Sequence, residues 1–475
     1  MQKSQAQGFI WSAIERFSAQ GIQFVLSIII ARLVSPSDYG LIAMLSIFLS
    51  LAQSVVDSGF SNALIQKQNR TDIDYSTVFF FNFFISIVIY IIFWFSSPLI
   101  SSFYNEPQLT EVARFAGLNF IISSLAIVQR TKLTISLDFK SQAKITLISV
   151  ICGGFVGVSM AWKGYGVWSL VLQSLITNLL TTLFLWFNSK WKPLLVFSIQ
   201  SFKELFTFGS KLLLTGLLAT IYNNLYSLVI GKFFNSLSLG YYNRMNTLAS
   251  FPSSNITSII SRVVYPIQCN MQNNNVELKI SFFQTLRISS FIIFPLMLGL
   301  AALSEPLTYV LLSEKWLPAS RLLTIICFAL MWNHIMYLNW QLLAVKGRSD
   351  LSFKSEVLKK IVSIIILCVT IPMGIEAMCI GLVCYSFADM FIIIFFLKPL
   401  LYITHKEEIK ILAPSFILGI SMFIIITICI NLSDNYYLQL IWGFIIGSIY
   451  YLGMAYIFKF KELDFILNKV NFKHG

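Results

Sequence analysis

The residues best placed to do chemistry are polar side chains standing inside long apolar stretches. Ser12, Arg16, Gln20, Gln23 and Ser27 recur at intervals of four, four, three and four, which lays them on one helical face. Glu15 adjoins Arg16, about 100° around the helix. Polar groups at such depth are costly, so they face a cavity or another helix. The stripe is therefore either a wall of a cleft or a buried polar seam with Glu15 paired locally. Arg and Gln favour the cleft, because packing seams use small residues. A second stripe holds Ser50, Ser54, Asp57 or Ser58, and Ser61. Asp57 either binds a coupling cation or proton, or caps a helix and pairs with a nearby base. A third set is Thr215, Tyr222, Asn223 and Tyr226. Ring faces stack on sugar C–H groups and amides bond to hydroxyls, although plain aromatic packing accounts for the same residues. His334, in Trp332-Asn333-His334, is a proton relay by its titration range or a hydrogen-bonded structural histidine, the simpler reading. Asp389 admits the same two roles.

These side chains need helices that cross a membrane. The chain has 475 residues, of which 57% are hydrophobic and 12% charged, against about 25% charged in soluble domains. Mean hydropathy is +0.76. Apolar runs of about 20 residues predict transmembrane helices. The fourteen expected spans are 8–33, 39–65, 76–104, 109–129, 143–162, 166–188, 204–231, 239–267, 281–304, 320–345, 357–373, 376–397, 411–431 and 437–458. The first is expected to act as an uncleaved anchor, since no small-residue cleavage site follows a short apolar core. The seven cysteines form no CxxC pair or metal-ligand spacing and are expected to behave as small hydrophobes.

Charge gives the orientation. With both termini in the cytoplasm, 25 of the 34 basic residues fall in cytoplasmic segments and seven in outer ones, with Arg16 and Arg262 inside spans. That bias predicts an N-in, C-in topology. The net charge of +13 therefore reflects orientation and contact with anionic lipids, and no nucleic-acid partner is expected. Loops are too short for a folded catalytic domain, and no GxxxxGK[ST] loop is present. The chain is not expected to be an enzyme or a complete ATP-driven pump. Uphill movement would draw on an ion gradient, a lipid gradient or a partner.

Ala31-Arg-Leu-Val-Ser-Pro-Ser-Asp-Tyr-Gly40 after span 1 and Gly231-Lys-Phe-Phe-Asn-Ser-Leu-Ser-Leu-Gly240 after span 7 share a small residue, a base and a terminal glycine. Six spans lie between them, so both halves enter the membrane in the same direction, as in transporters that rock two lobes about an axis along the membrane normal. A shared helix-turn-helix geometry would also produce so short a match.

Several blocks together resemble the Wzx-type flippases of the polysaccharide transporter family. That family lies in the MOP superfamily, with the MATE antiporters and the lipid II flippase. The blocks are Ala31-Arg-Leu-Val-Ser-Pro-Ser-Asp-Tyr-Gly-Leu-Ile-Ala43, Asp57-Ser-Gly-Phe-Ser-Asn-Ala-Leu-Ile-Gln66, Gly166-Val-Trp-Ser-Leu170, Leu228-Val-Ile-Gly231 with Leu239-Gly-Tyr-Tyr242, Tyr265-Pro266 and Glu314-Lys-Trp316. They run from about residue 8 to 345, in the family's order, and are most similar to the colanic acid branch. At Asn224-Leu225-Tyr226 the chain lacks the acid that the pattern carries after Asn-Leu, which leaves ion coupling there open.

The resemblance implies an all-α integral membrane protein of about fourteen transmembrane helices, with two pseudo-symmetric six-helix lobes in residues 1–190 and 200–402. Spans 13 and 14 and a tail follow in 408–475. It implies a substrate, a sugar repeat on undecaprenyl pyrophosphate, flipped from the cytoplasmic to the periplasmic leaflet of a bacterial inner membrane by alternating access. Guanidinium groups fork phosphate oxygens and stay charged when desolvated, so Arg16 and Arg262 are expected at the pyrophosphate, with Lys211 and Arg287 at the way in. Gln20, Gln23, Tyr222 and Asn223 would face substrate. Glu15, Asp57 and His334 are candidates for proton or sodium coupling, with no other cofactor or metal. Polymerase and chain-length proteins would be partners of a functional monomer. The competing readings are a MATE-like ion-coupled antiporter of the same fold and, in another class, a non-transporting component or an enzyme of polysaccharide assembly.

Overall fold

A computed structural model describes residues 18 and 20–463, and no strand occurs among them. Two compact units divide the chain, Met1–Gly240 and Tyr241–Gly475.

The first unit holds α1 (Gln20–Leu33), α2 (Pro36–Asp57), α3 (Phe60–Gln66), α4 (Asp72–Tyr104), α5 (Leu109–Ser124), α6 (Ile127–Ile135), α7 (Phe139–Trp162), α8 (Val167–Asn188), α9 (Ile199–Asn223) and α10 (Leu225–Phe233). Helix starts follow local chemistry. Ser35 caps α2 by accepting from the Asp38 amide, with proline in the first turn. Thr71 and Asp74 form a reciprocal capping box on α4, satisfying amides that have no partner within the helix.

Two interruptions shape this unit. Ser58 and Gly59 take left-handed backbone angles (φ 49° and 71°), which ends α2 and re-aims the chain as α3. A Cβ on Gly59 would lie 2.4 Å from the Gly209 carbonyl oxygen, so backbone meets backbone where the break touches α9. The second is a 43° bend between α5 and α6. Phe60, Tyr75, Phe79, Trp191 and Leu205 pack together beside the first break. Lys67 ties this end of the unit to Asp74 and Glu204, each at 3.0 Å. Phe95, Phe155 and Phe187 are largely exposed, as suits a surface covered by lipid. The repeat glycines meet reciprocally. A Cβ on Gly40 would fall on the Ser236 carbonyl and one on Gly240 on the Pro36 carbonyl.

α11 (Ser236–Asn270) runs across the division. The second unit continues with α12 (Asn275–Ala302), α13 (Ser304–Leu312), a 3-10 turn (Glu314–Ala319), α14 (Ser320–Leu330), α15 (Asn333–Val345), α16 (Ser349–Thr370), α17 (Ile375–Leu401), α18 (His405–Ile430) and α19 (Tyr436–Ile457). Trp332, at the α14–α15 break, lies against Phe294, Phe387 and Phe416 with centroid separations of 5.0–5.4 Å.

Each of the fourteen expected spans meets a helix among the described residues. Ten stretches are long and apolar enough to cross a membrane, eleven with the bent α5–α6 pair counted as one. The other three expected spans fall on α1, described only from Gln20, and on α11 and α16. Polar residues dilute both of the latter: Asn243, Arg244, Asn246, Asn255 and Arg262 in α11, and Asp350, Lys354, Glu356, Lys359 and Lys360 in α16.

Candidate functional site

The two interruptions of the first unit open a polar cavity of about 350 Å³, at the small end of the ~300–1,000 Å³ typical of small-molecule sites. The α2–α3 break leaves Asp57 at the last position of α2, and Ser61, in the first turn of α3, donates to its Oδ1 at 2.5 Å. One turn earlier on α2, Gln53 Oε1 accepts from the Ser123 hydroxyl of α5 at 3.0 Å. The α5–α6 bend then brings Arg130, Thr131 and Thr134 to the wall. Gln142 of α7 steadies this turn, donating to Thr134 Oγ1 at 3.0 Å.

α8 closes the cavity with Asn178, Thr181 and Thr182. Asn178 donates to Asn119 Oδ1 at 2.6 Å, and Thr182 to the Ile122 carbonyl at 3.0 Å, so α8 is pinned to α5. Arg130 and Thr181 also line a second cavity of about 180 Å³ with Gln142 and Thr146. The guanidinium thus borders two polar spaces. One carboxylate, one guanidinium, two amides and several hydroxyls form a donor and acceptor set suited to a polyhydroxylated ligand, and the guanidinium can fork an anion.

Of the expected site residues, Asp57 lines this cavity. Lys211, Tyr222 and Asn223 belong to α9 of the same unit but are absent from its wall. Lys211 and Asn223 are exposed and Tyr222 is half-buried. The chain breaks just after them at Asn224, whose side chain donates to the Thr220 carbonyl and accepts from Ser46. On α1, Gln23 is exposed and Gln20 half-buried. The Gln20 Oε1 is itself buried without a hydrogen bond. Glu15 and Arg16 lie outside the described residues, as does Ser12.

In the second unit Arg262 is half-buried on α11. Arg287 pairs with the buried Glu462 at 3.2 Å. His334 is fully buried, shares a 2.9 Å hydrogen bond with Ser290 and lies against Phe294. Asp389 forms a 2.8 Å ion pair with Lys359, both nearly inaccessible.

Sequence reasoning missed Gln53, Arg130 and Asn178. A signal existed in the spacing of Asn178 with Thr181 and Thr182, and of Gln53 with Asp57, but nothing in either helix says that they face each other. Arg130 counted only as one of the cytoplasmic bases.

A model of the family described as polysaccharide biosynthesis protein matches residues 29–321. The teichuronic acid biosynthesis protein TuaB of Bacillus subtilis is 26% identical over 73% of this chain and 72% of its own length. The lipopolysaccharide biosynthesis protein WzxC of Escherichia coli is 26% identical over 74% of this chain and 72% of its own. Among solved structures, the lipid II flippase MurJ in an inward closed conformation aligns at a TM-score of 0.76 and 18% identity, covering 94% of this chain and 98% of MurJ. An inward-facing multidrug resistance MATE family transporter of the MOP superfamily aligns at 0.60 and 13% identity, covering 86% and 98%. The fold is the one shared by MurJ and this MATE transporter, and the chain belongs to the polysaccharide biosynthesis protein family.

Proposed function

We propose that this protein flips oligosaccharide repeat units linked to undecaprenyl pyrophosphate from the cytoplasmic to the periplasmic leaflet of a bacterial inner membrane. The observation that carries the reading is the polar cavity of the first unit, whose hydroxyls, amides, Asp57 and Arg130 match the hydrogen-bonding needs of a sugar inside a membrane protein. The polysaccharide relatives and the lipid II flippase neighbour support the class of cargo. Transport runs by alternating access of two lobes, residues 1–190 and 200–402, with 408–475 appended and both termini cytoplasmic. The chain works as a monomer and hands its product to polymerase and chain-length proteins.

Arg16 and Arg262 meet the pyrophosphate, while Lys211 and Arg287 guide it in. Gln20, Gln23, Tyr222 and Asn223 contact substrate along the route. Of the coupling candidates Glu15, Asp57 and His334, Asp57 lies on the cavity wall, and His334 is engaged with Ser290. The test is reconstitution in liposomes with a labelled undecaprenyl-pyrophosphate oligosaccharide in the inner leaflet and an impermeant sugar-modifying reagent outside. Labelling above protein-free liposomes is expected, and it should rise with a proton or sodium gradient. Its absence with folded protein under every gradient would overturn the reading.

A further inference from the structure

A buried acid in the second unit has a setting that neither the family nor the cavity explains. Glu408, in the first turn of α18, is fully buried, as is Asn339 of α15. Asn339 Nδ2 donates to the Ile335 carbonyl at 3.1 Å and to Glu408 Oε2 at 3.3 Å. These two bonds fix which end of the amide meets the acid. The remaining oxygens, Glu408 Oε1 and Asn339 Oδ1, are both buried and make no hydrogen bond. Two buried acceptors left without a donor are unfavourable, and an ionised carboxylate away from water needs a cation or several donors.

No basic side chain among the described residues forms an ion pair with Glu408. The base that reaches this end of α18, Lys279 of α12, is held by Glu407 at 2.8 Å. Of the other titratable groups on the surrounding elements, Glu277 of α12 and Lys398 of α17 are exposed, and several are committed. Arg287 of α12 pairs with Glu462, and Asp389 of α17 with Lys359. His334 of α15 bonds Ser290. His405, one turn before Glu408, lies against Phe391 of α17, and its Nδ1 is buried without a hydrogen bond. Lys406 and Lys410 of α18 are exposed, and α19 carries no acidic or basic side chain.

We propose that Glu408 and Asn339 form a proton-binding site, with the proton on Glu408 Oε1 donated to Asn339 Oδ1. With Asn339 Nδ2 donating to Oε2, the acid and the amide then close a ring of two hydrogen bonds, and one proton satisfies both orphaned oxygens. The proton comes from water and returns to it, and no covalent bond between heavy atoms forms or breaks. Its loss sets Oε1 and Oδ1 against each other as bare acceptors and loosens the contact of α15 with α18. The site goes beyond the transport reading and does not depend on it.

The test is infrared spectroscopy of the full chain in lipid nanodiscs at neutral pH, in H2O and D2O. A deuterium-sensitive carbonyl band of a protonated carboxyl group is expected, lost in Glu408→Gln and kept in Asp389→Asn. Glutamine reproduces the protonated acid, with its amide donating to Asn339, so Glu408→Gln should melt at or above the wild-type temperature. A wild type without the band, a band that survives Glu408→Gln, or a Glu408→Gln protein that melts lower at neutral pH would each overturn the proposal.

Discussion

The two units handle their buried polar residues differently. In the first, Gln53, Asp57, Arg130 and Asn178 reach a cavity, and bonds between Gln53 and Ser123, Asp57 and Ser61, and Asn178 and Asn119 hold those side chains in place around open space. In the second, several buried polar groups are consumed by one another, while Glu277, Ser281, Gln284 and Thr285 border a separate cavity of about 370 Å³. Lys359 meets Asp389, His334 meets Ser290, and Ser261, Gln341 and Gln268 form a buried chain of hydrogen bonds. A polar residue inside a span is therefore no sign of a site by itself. What separates a site from a structural network is whether the helices leave room beside it, and in the first unit the breaks at Ser58–Gly59 and at the α5–α6 bend make that room.

That contrast predicts different failures. The largest effect belongs to Lys359→Met, which strands Asp389 in the interior and should cost about 3–5 kcal/mol of stability. Thermal unfolding in detergent would show it, and Lys359→Met combined with Asp389→Leu should recover most of the loss. Arg130→Gln should leave unfolding unchanged but lower transport about 10- to 100-fold, the equivalent of about 1.5–3 kcal/mol for a hydrogen bond to a charged group. If Arg130→Gln instead unfolds the protein, the cavity is a structural network like those of the second unit.

Gly59→Ala sharpens the role of the break. Its Cβ would press on the Gly209 carbonyl at a left-handed backbone position, and a loss of about 1–3 kcal/mol is expected, read as a lower melting temperature. The smallest effect is at Asp350. Hydrogen bonds from Arg348 hold its carboxyl down at about 2, so any stabilisation is present at neutral pH and is lost only as pH falls toward that value. Both side chains are substantially exposed, where solvent screens the pair. Asp350→Asn should therefore leave the melting temperature unchanged at neutral pH.

Hydropathy reveals most of the helices because a lipid-facing span must be apolar over its length, while α11 and α16 are met in spite of their polar residues, α16 beginning eight residues before its expected span. Asp57 is legible as an acid at depth beside Ser-Gly. Arg130 is not, because the residues that share the cavity wall with it come from α2, α3, α5 and α8, and a one-dimensional pattern carries no information about which helical faces meet. Lys359 counts as one more cytoplasmic base until α17 places Asp389 against it. His334, a titratable residue in a span, has two readings in the sequence, and the bond to Ser290 supplies the hydrogen-bonded setting of the simpler one.

The most direct test is the leaflet assay with matched variants. Liposomes carrying wild type, Asp57→Asn or Arg130→Gln would be loaded with labelled undecaprenyl-pyrophosphate oligosaccharide inside and probed with an impermeant reagent outside. The cavity reading predicts rapid labelling for the wild type and a strong loss in both variants at unchanged melting temperature. Wild-type labelling in both variants would contradict it and move the cargo route away from the first unit's cavity.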